Sequence, residues 1–99
     1  MPKFRLSNSA VQELMLIAIY GDEHYGIKAC DAYRMRLEQR FSMIAEQPLL
    51  YPSVDHIRAG YRRSVLDGLS IYYRIEGVDI VIVRLIGRQN PLISDQDEH

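Results

Sequence analysis

Tryptophan is absent from this 99-residue chain, lysine nearly so, and cysteine occurs once, as Cys30. A single cysteine allows no internal disulfide and no cysteine cluster for a metal. No window approaches the roughly 20 apolar residues that span a membrane. The opening residues Met1, Pro2, Lys3, Phe4 and Arg5 run into polar Ser7, Asn8 and Ser9, with no apolar core of a secretory signal. The chain therefore reads as soluble and cytosolic. Repeats, low-complexity tracts and Pro/Gly-rich linkers are missing too, so one domain is expected over residues 1–93, followed by an acidic tail, 94–99, without fixed structure. At 47% hydrophobic and 25% charged, the composition suits one globular core.

Neither sign of charge dominates, with 12 basic and 13 acidic residues. The formal net charge is −1, which argues against an overall electrostatic footprint for nucleic acid. No sequence-specific nucleic-acid binding is expected from it. The distribution is less even. Ten of the twelve basic residues are Arg, and six of those fall from Arg58 to Arg88, where the only acids are Asp67, Glu76 and Asp79. Arg suits planar, two-point contacts with carboxylates or phosphates. The plainer reading is the solvated outer face of a small sheet.

The pattern along the chain gives the elements. Residues 3–6 form a short candidate strand. Ser9 with Gln12 three residues on fits a capping box, and Val11, Leu14, Met15 and Ala18 recur at helical spacing, with Ala10 and Ile17 on an adjacent stripe. Gly21 and Gly26 bracket a break. A second helix follows over residues 27–47, its apolar stripe Cys30, Tyr33, Leu37, Phe41 and Ile44, closed by Pro48. The stripe reads as helix core and Cys30 as a small buried hydrophobe. Residues 49–60 read as a loop. Three apolar, β-branched runs come next, 61–66, 69–75 and 80–86, separated by Asp67-Gly68 and by residues 76–79. Asp-Gly is a strong signal for a two-residue hairpin turn. The last run, apolar at each of Ile80, Val81, Ile82 and Val83, is expected at the sheet's centre. Tyr72 and Tyr73 must face opposite sides, with Arg74 on the side of Tyr72. The expected fold is α+β: an N-terminal strand and an antiparallel helical hairpin packed on a small antiparallel sheet, in the order β-α-α-β-β-β.

Several of these stretches resemble motifs of the RelE/ParE toxins. Residues 60–65 (Gly60, Tyr61, Arg62, Arg63, Ser64, Val65) are similar to a "G-x-R-R-x-V" entry into the sheet, and residues 70–75 to its "hxIxYRv" strand. Residues 79–88 are similar to the "xIxIVRILHxR" closing strand of ParE-like members. Leu6 and Ser7 followed by Ala10, Glu13 and Leu14 resemble the opening "LSxxAxxDL", and Glu46, Gln47 and Pro48 resemble an "ENPxxG" helix end. The likeness covers residues 3–90 in the family's order. It departs at the missing Trp, where Tyr20 and Tyr25 stand in, at the missing Gly after Pro48, and at Asn90 in place of an acid in "R-x-D-P".

The resemblance implies one half of a toxin–antitoxin pair. RelE-like members cleave messenger RNA, which requires a deprotonated 2′-hydroxyl, cations on the phosphorane and a proton for the leaving oxygen. Here the candidate cations are Arg62, Arg63, Arg84 and Arg88, Lys is absent after Lys28, no Tyr follows Tyr73, and His99 is the only His after His56. Arg, with a pKa above about 12, is a poor general base. ParE-type members act instead on DNA gyrase and need no catalytic group of their own. The resemblance therefore favours a gyrase inhibitor, neutralised by a ParD-like antitoxin whose flexible segment folds along the toxin, over an RNA-cleaving toxin or a non-toxic binding module on the same fold. The expected partner-binding residues are Tyr61, Arg62, Arg63, Arg74, Arg84, Arg88, Asn90 and Pro91. No cofactor or metal is expected, and His24 and His56 read as exposed loop histidines.

Overall fold

The computed structural model describes residues 3–87. Six elements follow one another: β1 (Phe4–Leu6), α1 (Asn8–Tyr25), α2 (Ile27–Glu46), β2 (Tyr61–Leu66), β3 (Leu69–Glu76) and β4 (Asp79–Gly87). They form an α+β domain with a four-stranded sheet in the order β1-β4-β3-β2. The tail, 94–99, and Arg88, Asn90 and Pro91 lie outside the described residues.

The three C-terminal strands form the expected antiparallel meander. At the first turn Asp67 and Gly68 have φ of 51° and 84°, the positive pair a type I′ turn demands. The short N-terminal strand does not merely rest on this meander. It pairs in parallel with β4, Phe4 opposite Ile80 and Leu6 opposite Ile82, so the sheet is mixed. β4 thereby becomes an inner strand, as its unbroken apolar run requires.

Both helices cover one face. The core joins Ala10 of α1 and Leu37, Phe41, Ile44 and Ala45 of α2 to Leu69, Ile71, Tyr73, Ile80, Ile82 and Leu85 of the sheet. Cys30 belongs to the buried stripe of α2 as expected, with Tyr33 partly buried beside it. In α1 the inward stripe differs from the expected one. Ala10, Glu13, Leu14 and Ile17 point inward, whereas Val11 and Met15 are exposed. The stripe is rotated because it follows α1's contact with β4, and an acid occupies one of its positions.

The helix boundaries also differ from expectation. Ser7, not Ser9, caps α1: its hydroxyl accepts from the Ala10 amide at 3.0 Å while donating to the Val83 carbonyl at 2.8 Å. Gly21 lies inside α1 and breaks nothing. A Cβ there would sit 2.8 Å from the Cys30 Sγ, so glycine is what lets the helices approach. The break falls at Gly26, whose φ of 87° ends α1 and starts α2. His24, read as a loop residue, is therefore helical; it is exposed and stacks on Tyr20 at 3.9 Å. No described helix is long and apolar enough to cross a membrane.

A shared edge of β4 ties α1 to the sheet. β1 supplies backbone partners only as far as Leu6, and the Ser7 amide takes the Ile82 carbonyl at 2.9 Å. Beyond that point the register skips Val83, so two further polar groups of β4 lack a strand partner. Side chains of α1 complete the ladder. Ser7 takes the Val83 carbonyl, and the Glu13 carboxylate, 4% exposed, accepts from the Leu85 amide and from the Arg84 Nε, both at 2.7 Å. The loop from α2 to β2 is held similarly. The Tyr73 phenol, its residue wholly buried, donates to the Pro48 carbonyl at 2.5 Å, and Ser53 bridges Arg62.

Two outcomes follow for stability. Glu13→Ala should cost about 2–4 kcal/mol, because it orphans the buried Leu85 amide and removes the carboxylate that the Arg84 Nε meets; urea unfolding measures it. Tyr73→Phe should cost about 1 kcal/mol near pH 7. Burial pushes the Tyr73 phenol up to about 12 from an ordinary value of 10. A folded pKa above the unfolded one adds stability that is intact below pH 10 and lost as pH rises toward 12. The deficit of Tyr73→Phe should therefore shrink above pH 10, and a deficit that is constant to pH 11 would contradict the assignment.

Candidate functional site

Strand register sorts the arginines before any contact is considered. Paired residues share a face of the sheet. One row across the face away from the helices reads Arg5, Val81, Arg74 and Tyr61, and a second runs from Tyr72 to Arg63. Tyr73, opposite Arg62, lies on the helix face, and Arg62 lies with it. The expected opposition of Tyr72 and Tyr73 holds, and Arg74 shares the side of Tyr72.

The open face is cationic but ordered. Glu76 sits between two guanidiniums, accepting from Arg74 Nε at 2.8 Å and Nη2 at 2.5 Å on one oxygen and from Arg5 Nη2 at 2.7 Å on the other. These bonds, Arg74's first and Arg5's second, hold the Glu76 carboxyl below its usual range. The same carboxylate raises the Arg74 pKa further. The side chains are well exposed, 63% for Arg5 and 39% for Arg74, so the ion pairs contribute little stability. Their effect is to hold two long cations in a fixed orientation. Arg58 lies 5.8 Å over the Tyr61 ring at the far end of the same row. Val81 is 1% exposed in the midst of this face, flanked in register by Arg5 and Arg74, whose stems cover it.

Of the expected contact residues, Tyr61, Arg63 and Arg74 are brought together on this face. Arg62 is not among them. Its guanidinium donates to the Tyr51 carbonyl at 2.6 Å and fastens the loop before β2. Arg84 is opposite Tyr72 but gives its Nε to Glu13. Three residues of the helices escaped the sequence reading. Besides Glu13, Arg40 reaches the Ser64 hydroxyl at 2.8 Å and the Val65 carbonyl at 2.9 Å, and Arg36 meets Asp67 at 2.6 Å. Glu13 had a signal, its place one turn from Ala10 and Ile17 on the inward stripe. Arg36 and Arg40 had none, since both sit on the polar side of a helix.

The sheet strands β2, β3 and β4 carry Arg and Tyr but no Lys and no His. The Tyr73 phenol is buried and committed to Pro48, and the Cys30 thiol is pushed up by burial and by its neighbour Asp22, which disfavours the reactive thiolate. Among the described residues no group of three His, Cys, Asp or Glu is placed to hold a metal.

With this geometry in view, relatives can be compared. A family model described as the ParE toxin of the type II toxin–antitoxin system parDE matches residues 4–91. Toxin ParE1 of Caulobacter vibrioides is 33% identical over 86 residues, covering 87% of this chain and 88% of the relative. Toxin ParE3 of the same organism is 32% identical over 69 residues, 69% of each. A solved structure of a chromosomal ParDE toxin–antitoxin system from P. aeruginosa superposes with a TM-score of 0.71 at 20% identity, covering 88% of this chain and 96% of that one, and so shares the fold. The chain belongs to the ParE toxins of type II toxin–antitoxin systems.

Proposed function

We propose that the chain inhibits DNA gyrase without catalysis of its own, thereby blocking DNA replication, and that a ParD-like antitoxin neutralises it. The observation that carries this reading is the open face of the sheet, where Arg5, Arg63, Arg74, Tyr61 and Tyr72 stand together without a Lys or His on β2–β4 to serve as acid or base. Such a face suits recognition, because oriented guanidiniums and phenols are the side chains that most often dominate interfaces. It suits RNA cleavage poorly, because no His or Lys stands on β2–β4 and its carboxylate, Glu76, is engaged by Arg74 and Arg5 on both oxygens. The contact surface on this reading is Tyr61, Arg63 and Arg74, extended by the exposed part of Arg84 and by Arg88, Asn90 and Pro91 beyond β4. Arg62 contributes by holding the neighbouring loop in place. An antitoxin segment rich in acids would complement the same cations, folding as it binds.

Purified gyrase with the toxin added should lose supercoiling and accumulate cleaved DNA, while messenger RNA on ribosomes stays intact. Cut RNA with unaffected gyrase would overturn the reading. For the antitoxin, Arg63→Glu should weaken binding at least about tenfold, near 1.4 kcal/mol, with the unfolding midpoint unchanged. Arg62→Glu should lower that midpoint instead, since it breaks the bond to Tyr51. Equal antitoxin affinity for wild type and Arg63→Glu, by calorimetry, would remove the open face from the interface.

A further inference from the structure

A cleft of about 670 Å³ opens where the two helices meet the end of the sheet. Its walls include Ile17 and Tyr20 of α1, Cys30 and Tyr33 of α2, and Leu69 and Gly87 of the sheet. The floor is the core itself: Leu69 belongs to the buried cluster, and Ile17 and Tyr33 pack against it. An opening of this kind leaves apolar surface to water that a hydrophobic segment would cover favourably.

The position of the chain end supplies the occupant. Gly87, the last described residue, is itself part of the wall, so the chain leaves β4 at the mouth of the cleft. Residues 88–99 follow, and the first apolar group among them is Pro91, Leu92 and Ile93. These lie four to six residues past Gly87, a reach of up to roughly 13–20 Å at about 3.3 Å per residue. Asp95, Asp97 and Glu98 come next. The cleft's surroundings carry both signs, Arg36 and Asp67 on the wall and Asp22 and Asp31 close to Cys30. α2 begins beside Ala29 on the wall with no side-chain cap and no acid in its first turn, and Lys28 stands within that turn.

We propose that Leu92 and Ile93 dock in this cleft within the same chain, closing the core between α1, α2 and Leu69. The inference is independent of what the toxin inhibits. It gives the apolar group of the C-terminal segment a structural task, and the cationic segment 88–90 a fixed anchor on its far side.

Methyl-labelled full-length protein tests it by NMR. Nuclear Overhauser contacts are expected from the Leu92 and Ile93 methyls to the Tyr33 ring and to the Ile17 and Leu69 methyls, within one chain. Cys30, on the wall, is a second reporter. In Leu92→Asp, and in a chain stopped after Asn90, its reaction with a disulfide reagent should be at least about tenfold faster than in the full-length protein. Absence of the contacts together with equal Cys30 rates would overturn the proposal. Contacts seen only between differently labelled chains would place a second copy in the cleft and overturn it equally.

Discussion

A single buried carboxylate holds the two layers of this domain in register. Glu13 leaves α1 at a position that packing alone would give to an apolar residue, and its two oxygens meet the Leu85 amide and the Arg84 guanidinium. β4 is the strand on which both the core and the open face depend, and its outer edge is covered by β1 for only three residues. An uncovered inner edge would leave polar backbone unpaired next to the core, at a cost comparable to a lost hydrogen bond for each group. Ser7 and Glu13 take over where β1 ends. The helix that starts at Ser7 is thus capped, aligned and fastened by the same few atoms that finish the sheet.

This arrangement also decides what the arginines are for. Three of them, Arg40, Arg62 and Arg84, donate to Ser64 and Val65, to Tyr51 and to Glu13, and serve the fold. Arg5 and Arg74 share Glu76 on the open face, Arg5 largely exposed and Arg74 half-buried, with Arg63 nearby in register. The sequence shows one cluster of basic residues from Arg58 to Arg88; the structure separates Arg62 and Arg84, which fasten the fold as Arg40 does, from Arg63 and Arg74, which share the open face with Arg5. A face of oriented cations and phenols suits the binding role proposed for it.

Much of the fold was legible before any coordinates. Pro48, the Asp67-Gly68 turn and the apolar run of β4 each impose a local geometry that no tertiary contact needed to override. The parallel placement of β1 was not legible, because three residues carry no signal for a partner more than 70 positions away. Ser9 looked like a cap by its spacing to Gln12, yet Ser7 won by also bonding β4. Gly21 looked like a break, yet it marks a close helix crossing. The site was legible in residue type but not in facing: adjacent Arg62 and Arg63 look alike in sequence and point to opposite sides of the sheet.

On the proposed function, the open face, and not the outer side of the helical hairpin, meets the protein partners. The most direct test is NMR of the toxin, with arginine and tyrosine side chains and the Val, Met and Ile methyls labelled, free and bound to its antitoxin. The account predicts the largest shifts and cross-saturation at Arg63, Arg74, Tyr61 and Tyr72, with Val11, Met15 and Ile19 of α1 unaffected. Perturbation confined to those α1 residues, with the arginine signals of β2 and β3 unmoved, would contradict it.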